Sequence, residues 1–220
     1  MRPPSSPSSS DLFLKYLLDG NKADASGFIH KLTSESIPIQ SIYENIMKPA
    51  LYKVGELWAV NKITVAEEHT ATAITEGIMN ELYPFIANSN TGIRGKVVVG
   101  CVEGEFHQVG ARMVADMFEI KGWDTWFPGS NVPTAELIRY INKVNPDLVA
   151  ISASIYFHLP MLAKMMDEIM SAFQGLDILV GGQAFRHGGI SLLSAYPTAS
   201  FIKDLQELEI FIDNYANEDA

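Results

Sequence analysis

The chain has 220 residues, 47% of them hydrophobic and 19% charged, which supplies a packed core for one large domain or two small ones and argues against global disorder. Its net charge of −10 disfavours direct binding to nucleic acid, because phosphate contacts need a basic surface. Cys101 is the only cysteine, so an intramolecular disulfide and a thiolate metal cluster are excluded and a cytoplasmic setting is expected, and no apolar run approaches the roughly 20 residues that span a membrane.

The opening MRPPSSPSSS is Pro/Ser-rich and lacks the apolar stretch of a secretory signal, so residues 1–10 are expected to be a disordered lead-in. Residues 11–19 and 22–33 carry apolar side chains at helical spacing, broken by Gly20 and Asn21. A further helix is expected over 39–47, and Pro49 then suits the first turn of another running over 50–60. Thr64 can cap a long helix reaching about Phe85, with Glu67 and Glu68 in its favourable first turn. Residues 11–87 therefore read as a bundle of about five helices.

The pattern changes near residue 88, where NSNTGIRG reads as a linker. KVVVGCV (96–102) is a short β-branched run of the kind that forms a buried strand. Further strands are expected at 123–127, 147–151, 177–180 and 199–202, with helices at 108–121, 134–144, 159–173 and 203–215. This alternation predicts a doubly wound, Rossmann-like parallel sheet of about five strands over 94–216, for an α/β fold class behind a helical bundle. Ligands of such sheets bind beyond the C-terminal strand ends, which directs attention to the loops after residues 102, 151 and 180.

The first of these loops holds Glu105, Phe106, His107, Gln108, Val109 and Gly110. A carboxylate two residues before a histidine can hold one imidazole nitrogen and leave the other to a metal, and Gly110 would admit a bulky ligand close to the backbone. One histidine without neighbouring Cys or His cannot build a protein-only zinc site. It suits a metal that brings most of its own ligands. A histidine bonded only within its own loop is the competing reading. The second loop offers Ser152 and Ser154 and the third Gly181 and Gly182, small residues that would leave room for a flat or tail-like ligand, though Ser and Gly are also ordinary turn residues.

Taken together, Glu105-x-His107-x-x-Gly110, Ser152-x-Ser154 and Gly181-Gly182 resemble, in order and on the expected elements, the motifs of the cobalamin-binding domain family. The resemblance covers roughly residues 94–216. It implies that His107 is the lower cobalt ligand in place of the cofactor's own dimethylbenzimidazole, with the displaced nucleotide tail in a slot lined by Ser152, Ser154, Gly181 and Gly182. Glu105 stands where the family usually has Asp, and the longer carboxylate puts the strength of the His–cobalt bond in question.

In the helical half, Trp58 followed by Glu68-His69 is similar to the cap bundle of B12-dependent photoreceptors, in which a Trp and a Glu-His pair cover the upper face of adenosylcobalamin. An indole can pack on the corrin or the adenosyl group, and the pair can hydrogen-bond ribose or base. The alternative is that Trp58 is core and the pair merely a polar helix face. Ala59 departs from the light-sensing repressors, which carry a cobalt-capturing histidine there, and only a Pro/Ser-rich stretch stands before residue 11 where those repressors carry a helix-turn-helix module, so no such module is expected here. The resemblance thus implies a light-responsive cobalamin sensor whose output runs through homo-oligomer change or a regulatory partner, with adenosylcobalamin the expected form, methylcobalamin the alternative, and room for a bilin as second chromophore. The competing function is a corrinoid methyl carrier of a methyltransferase system, which makes non-enzymatic sensing the first expectation and an enzyme component the second.

Overall fold

The computed structural model describes residues 8–87 and 94–218, and the chain divides into two compact units, one ending at Phe85 and the other beginning at Ile86. In the helical unit α1 (Ser9–Leu18) opens with a capping box: the Ser8 hydroxyl accepts from the Asp11 amide and the Asp11 carboxylate accepts from the Ser8 amide at 3.1 Å. The expected disordered lead-in over 1–10 is corrected to that extent, since this cap orders Ser8 to Ser10; residues 1–7 lie outside the described residues. The Asn21 side chain caps α2 (Lys22–Ser34) after the Gly20 break.

The helices expected on either side of Pro49 are one continuous helical run. Short α3 (Ile39–Ile42) passes through a π turn, Tyr43–Met47, into α4 (Lys48–Ala59), and all three segments meet at residues with right-handed helical dihedrals. The wide turn is closed by the Lys48 amide donating to the Tyr43 carbonyl. It lies one residue before Pro49, where an α-helix would lose a donor and meet the proline ring, and it absorbs the proline without a break. The Ser10 hydroxyl donates to the Ile46 carbonyl at 3.2 Å in this segment. Phe13, Leu17, Ile29, Tyr43 and Met47 are fully or almost fully buried and fill the core between these helices. Helix α5 (Val65–Ala87) starts as expected at Thr64, whose hydroxyl and amide form a capping box with Glu67, and Glu81 on it accepts hydrogen bonds from Ser26 and His30 of α2.

The second unit is a five-stranded, all-parallel sheet in the order β2-β1-β3-β4-β5, with β1 (Lys96–Cys101), β2 (Asp124–Trp126), β3 (Leu148–Ser152), β4 (Asp177–Gly181) and β5 (Ala199–Ile202). Four helices, α6 (Val109–Ile120), α7 (Thr134–Val144), α8 (Leu159–Ala172) and α9 (Leu205–Glu218), supply the crossovers and the closing helix. Strands β1, β3 and β4 are nearly continuous apolar runs because helices cover both faces of a parallel sheet. Val98, Val149, Ile151, Ile178 and Val180 join Leu137, Ile141, Leu162, Met165 and Ile169 in one core. The register sets Cys101 opposite Ser152 and Ser152 opposite Gly181, so β1, β3 and β4 end level. From β1 the chain runs to β2 on one side and β3 on the other, and this switch in strand order places a crevice between the loops after β1 and β3. The linker expected around 88–93 lies outside the described residues. Among the described residues no helix is long and apolar enough to cross a membrane.

Candidate functional site

The loop leaving β1 turns back on itself at once. Gly104 adopts φ +83°, a conformation that L side chains resist, and the Glu105 amide donates to the Val102 carbonyl at 3.0 Å. This turn drives the Glu105 side chain down into the unit, where it has no solvent exposure at all. Its two oxygens then organise two loops. Oε1 accepts from the His107 amide at 3.0 Å and contacts His107 Nδ1 at 2.5 Å. Oε2 accepts from the Ser154 amide at 2.9 Å and the Ile155 amide at 3.2 Å, and meets His158 Nδ1 at 3.2 Å. Burial pushes the Glu105 carboxyl up, but the His107 ring, the His107 and Ser154 amides and the charge of His107 outweigh it and bring it down to about 2. Glu105 is therefore a buried anion. Anions only accept hydrogen bonds, so both imidazoles present an N–H at Nδ1. On His107 the ring lone pair then falls on Nε2, and half of the side chain is exposed.

Glu105 reaches the amides after β3 as well as the histidine two residues on, and so ties the two loops that flank the switch point. The loop after β2 is fastened to the same group: the Asn131 amide donates to the Glu105 carbonyl, Gln108 Oε1 accepts from the Ser130 amide at 3.2 Å, and the Glu103 carboxylate caps α7 by accepting from the Thr134 amide and hydroxyl. Burial, and then the charge of Glu105, push the Cys101 thiol up to about 12, leaving it a neutral group at the end of β1.

Val109 is buried as the first residue of α6. A Cβ added to Gly104 or Gly110 would meet open space, and these are the places where a large ligand can approach the backbone. The two glycines after β4 are different. A Cβ on Gly182 would lie 2.2 Å from the Ala153 carbonyl oxygen, and one on Gly181 would lie 2.8 Å from that of Ile202. The absence of a Cβ at both positions lets the backbones of Ala153 and Ile202 pack close to them. Ser152 and Ser154 are half-buried on the facing strand end, where Ser154 contributes its amide to Glu105.

Trp58, Glu68 and His69 belong to the helical unit. The Trp58 indole is 46% exposed at the end of α4, with Val60 and Val65 also exposed in the turn to α5, so it is not core. Glu68 is largely buried and accepts from the Thr72 hydroxyl at 3.0 Å, whereas His69 is 75% exposed and lies 3.5 Å from the Glu68 carboxylate. Glu105, His107 and Ser154 are brought into one hydrogen-bonded group. His158, which the motif loops did not single out, makes no side-chain cap to α8 and joins Glu105 instead. The 53-residue separation of Glu105 and His158 carries no local signal for that contact. Glu103 was missed as the cap of α7 for the same reason. The side chain of His187, near the Gly-Gly loop, lies outside the described residues. Among the described residues no group of three His, Cys, Asp or Glu side chains could hold a metal ion by itself.

Residues 95–196 match a family model described as a B12 binding domain, and residues 10–83 match a second model with the same description. The HTH-type transcriptional repressor CarA of Myxococcus xanthus is 24% identical over 67% of this chain, and the match takes in 49% of the repressor, so the chain spans about half the length of that relative. The dimethylamine corrinoid protein 1 of Methanosarcina acetivorans is 27% identical over 70% of this chain and 73% of its own length. Among solved structures, the monomethylamine corrinoid protein of Methanosarcina barkeri superposes with a TM-score of 0.79 over 94% of this chain and 98% of that one, at 15% identity, a likeness of fold.

Proposed function

We propose, on the premise that the chain belongs to the B12 binding domain family in both of its units, that it is a light-responsive cobalamin sensor with His107 as the lower cobalt ligand. The chain is a cobalamin-binding protein; the form of the cofactor, the ligand and the signal are the proposed part. The carrying observation is the buried, ionised Glu105 on Nδ1 of a half-exposed His107, which fixes the tautomer and strengthens Nε2 as a donor. The donor set fits a corrin, which needs one protein imidazole where a bare metal ion needs three or four ligands. The open space beside Gly104 and Gly110 fits the approach of so large a group.

Cobalamin supplies a photolabile cobalt–carbon bond, a property of the cofactor and not of the protein. Glu105 orients the imidazole and keeps its proton on Nδ1. Ser152 and Ser154 would offer polar groups to the nucleotide tail beside Gly181 and Gly182, while Gln108 and Val109 seat the start of α6. In the helical unit the exposed indole of Trp58, with Glu68 and His69, is the surface that would read the upper ligand, adenosyl in preference to methyl. Loss of that ligand would change what these helices pack against and shift an equilibrium between copies of the chain or with a regulatory partner in the cytoplasm. Reconstitution with adenosylcobalamin, followed by absorption spectra and size-exclusion before and after green light, should give a light-dependent change in assembly. An assembly state indifferent to light in every corrinoid form rejects the sensor.

The fold likeness to a monomethylamine corrinoid protein and the 73% coverage of a dimethylamine corrinoid protein support a second reading, a methyl carrier serving a methyltransferase. Methyl transfer from the loaded protein to an acceptor, with a partner enzyme present, would establish it in place of the sensor.

A further inference from the structure

We propose that His158 is a positioning residue that attenuates the lower ligand, by taking a share of the Glu105 anion that His107 would otherwise hold alone. The inference rests on the reading of His107 as the cobalt ligand and adds a control on its strength. Glu105 is fully buried and has donors on both oxygens: the His107 amide and ring on Oε1, the Ser154 and Ile155 amides and the His158 ring on Oε2. His158 is itself three-quarters buried, in a short 3-10 turn (Tyr156–His158) at the head of α8, where it is the N-cap residue but its side chain makes no capping hydrogen bond. Its ring is thus placed for the carboxylate.

A carboxylate carries one negative charge over two oxygens, and each charged hydrogen bond to one oxygen draws density from the other. The charge on Oε1 sets how far the Nδ1–H bond of His107 is polarised, and that sets the donor strength of Nε2. An imidazole on Oε2 therefore weakens His107 as a ligand. The two amides on Oε2 hold the carboxylate in place whether or not His158 is there, so removal of the ring changes the charge seen by His107 more than its position.

The test uses the full chain with methylcobalamin as probe. His158→Phe keeps a planar ring and loses the donor; His158→Asn places an amide N–H near the site of Nδ1. The phenylalanine variant should bind methylcobalamin about threefold more tightly, with a larger fraction of the spectrum in the histidine-bound form, and the asparagine variant should return to wild type. An unchanged or weaker affinity in His158→Phe overturns the proposal, and His158→Ala is read in the same way should the phenylalanine variant fail to fold. A second measurement needs no variant: nitrogen-15 NMR of the wild-type apoprotein should find the proton of the His158 ring on Nδ1, and a ring protonated only on Nε2 overturns the proposal as well. His107→Ala separates the two claims. A wild-type spectrum in that variant strikes the ligand assignment, whereas loss of the histidine-bound form there with no effect of His158→Phe strikes this inference alone.

Discussion

Around Glu105 the α/β unit has built a polar centre before any ligand arrives: an anion with no exposure, donors on both oxygens, and three loops tied together. Between α4 and α5 the helical unit presents the reverse, an indole and two valines in solvent beside an exposed histidine. The first arrangement is held by interactions that are costly to leave unmade in the interior, so its geometry is set by folding. The second has little holding it, and its apolar surface acquires a partner only when something covers it. The two regions can therefore be told apart by whether removing a side chain damages the empty protein.

The largest effect should follow Glu105→Ala, which strands the donors of His107, Ser154, Ile155 and His158. It should lower the apoprotein's unfolding free energy by about 3 kcal/mol or more in urea titration; a loss under about 1 kcal/mol would place the centre in the same class as the α4–α5 turn. The pH dependence carries the same signature. Folding depresses the Glu105 carboxyl from an ordinary 4.5 to about 2, so its stabilisation is complete above about pH 4.5 and disappears as pH falls through about 2. That part of the acid slope, about 3 kcal/mol, should vanish in Glu105→Ala and persist in Trp58→Ala.

Gly182→Ala should cost about 2–3 kcal/mol of stability, from a φ of +109° and a Cβ driven into the Ala153 carbonyl. Gly110→Ala, in an open helical position, should leave the apoprotein as stable or slightly more so and weaken corrinoid binding, which calorimetry on the two variants would separate. His107→Ala takes a ring donor from the buried Glu105 and should cost about 1–3 kcal/mol of apoprotein stability, less than Glu105→Ala, while lowering corrinoid affinity about 10- to 100-fold with the spectrum moved to the base-off form. The smallest effect on the empty protein belongs to Trp58→Ala, within about 0.5 kcal/mol of wild type, accompanied by loss of discrimination between adenosyl- and methylcobalamin. Undiminished discrimination would remove Trp58 from the upper face, and a large destabilisation would return it to the core.

The α/β unit was the more legible half. KVVVGC and LVAIS announce buried parallel strands by composition, and the helices between them carry strong periodicity, so strand positions, order of elements and motif loops follow from local pattern. Pro49 stands in the first turn of α4 as expected, and what the sequence did not show is the π turn at Tyr43–Met47 that joins this helix to α3 without a break. Trp58 was ambiguous: a large apolar residue at a helix end satisfies a core pattern and a surface role equally well.

What the amino-acid sequence determined is whatever depends on neighbours a few residues apart: the strands, the capping boxes at Ser8 and Thr64, and the pairing of Glu105 with His107 across two residues. Only the tertiary structure decided what that carboxylate does with its second oxygen. The contacts with Ser154, Ile155 and His158 span about fifty residues and exist because the parallel register brings the ends of β1 and β3 level. Hydrogen bonds act over ångströms in space and take no account of distance along the chain, so the Glu105–His107 pair was readable from the sequence and the second imidazole behind it was not.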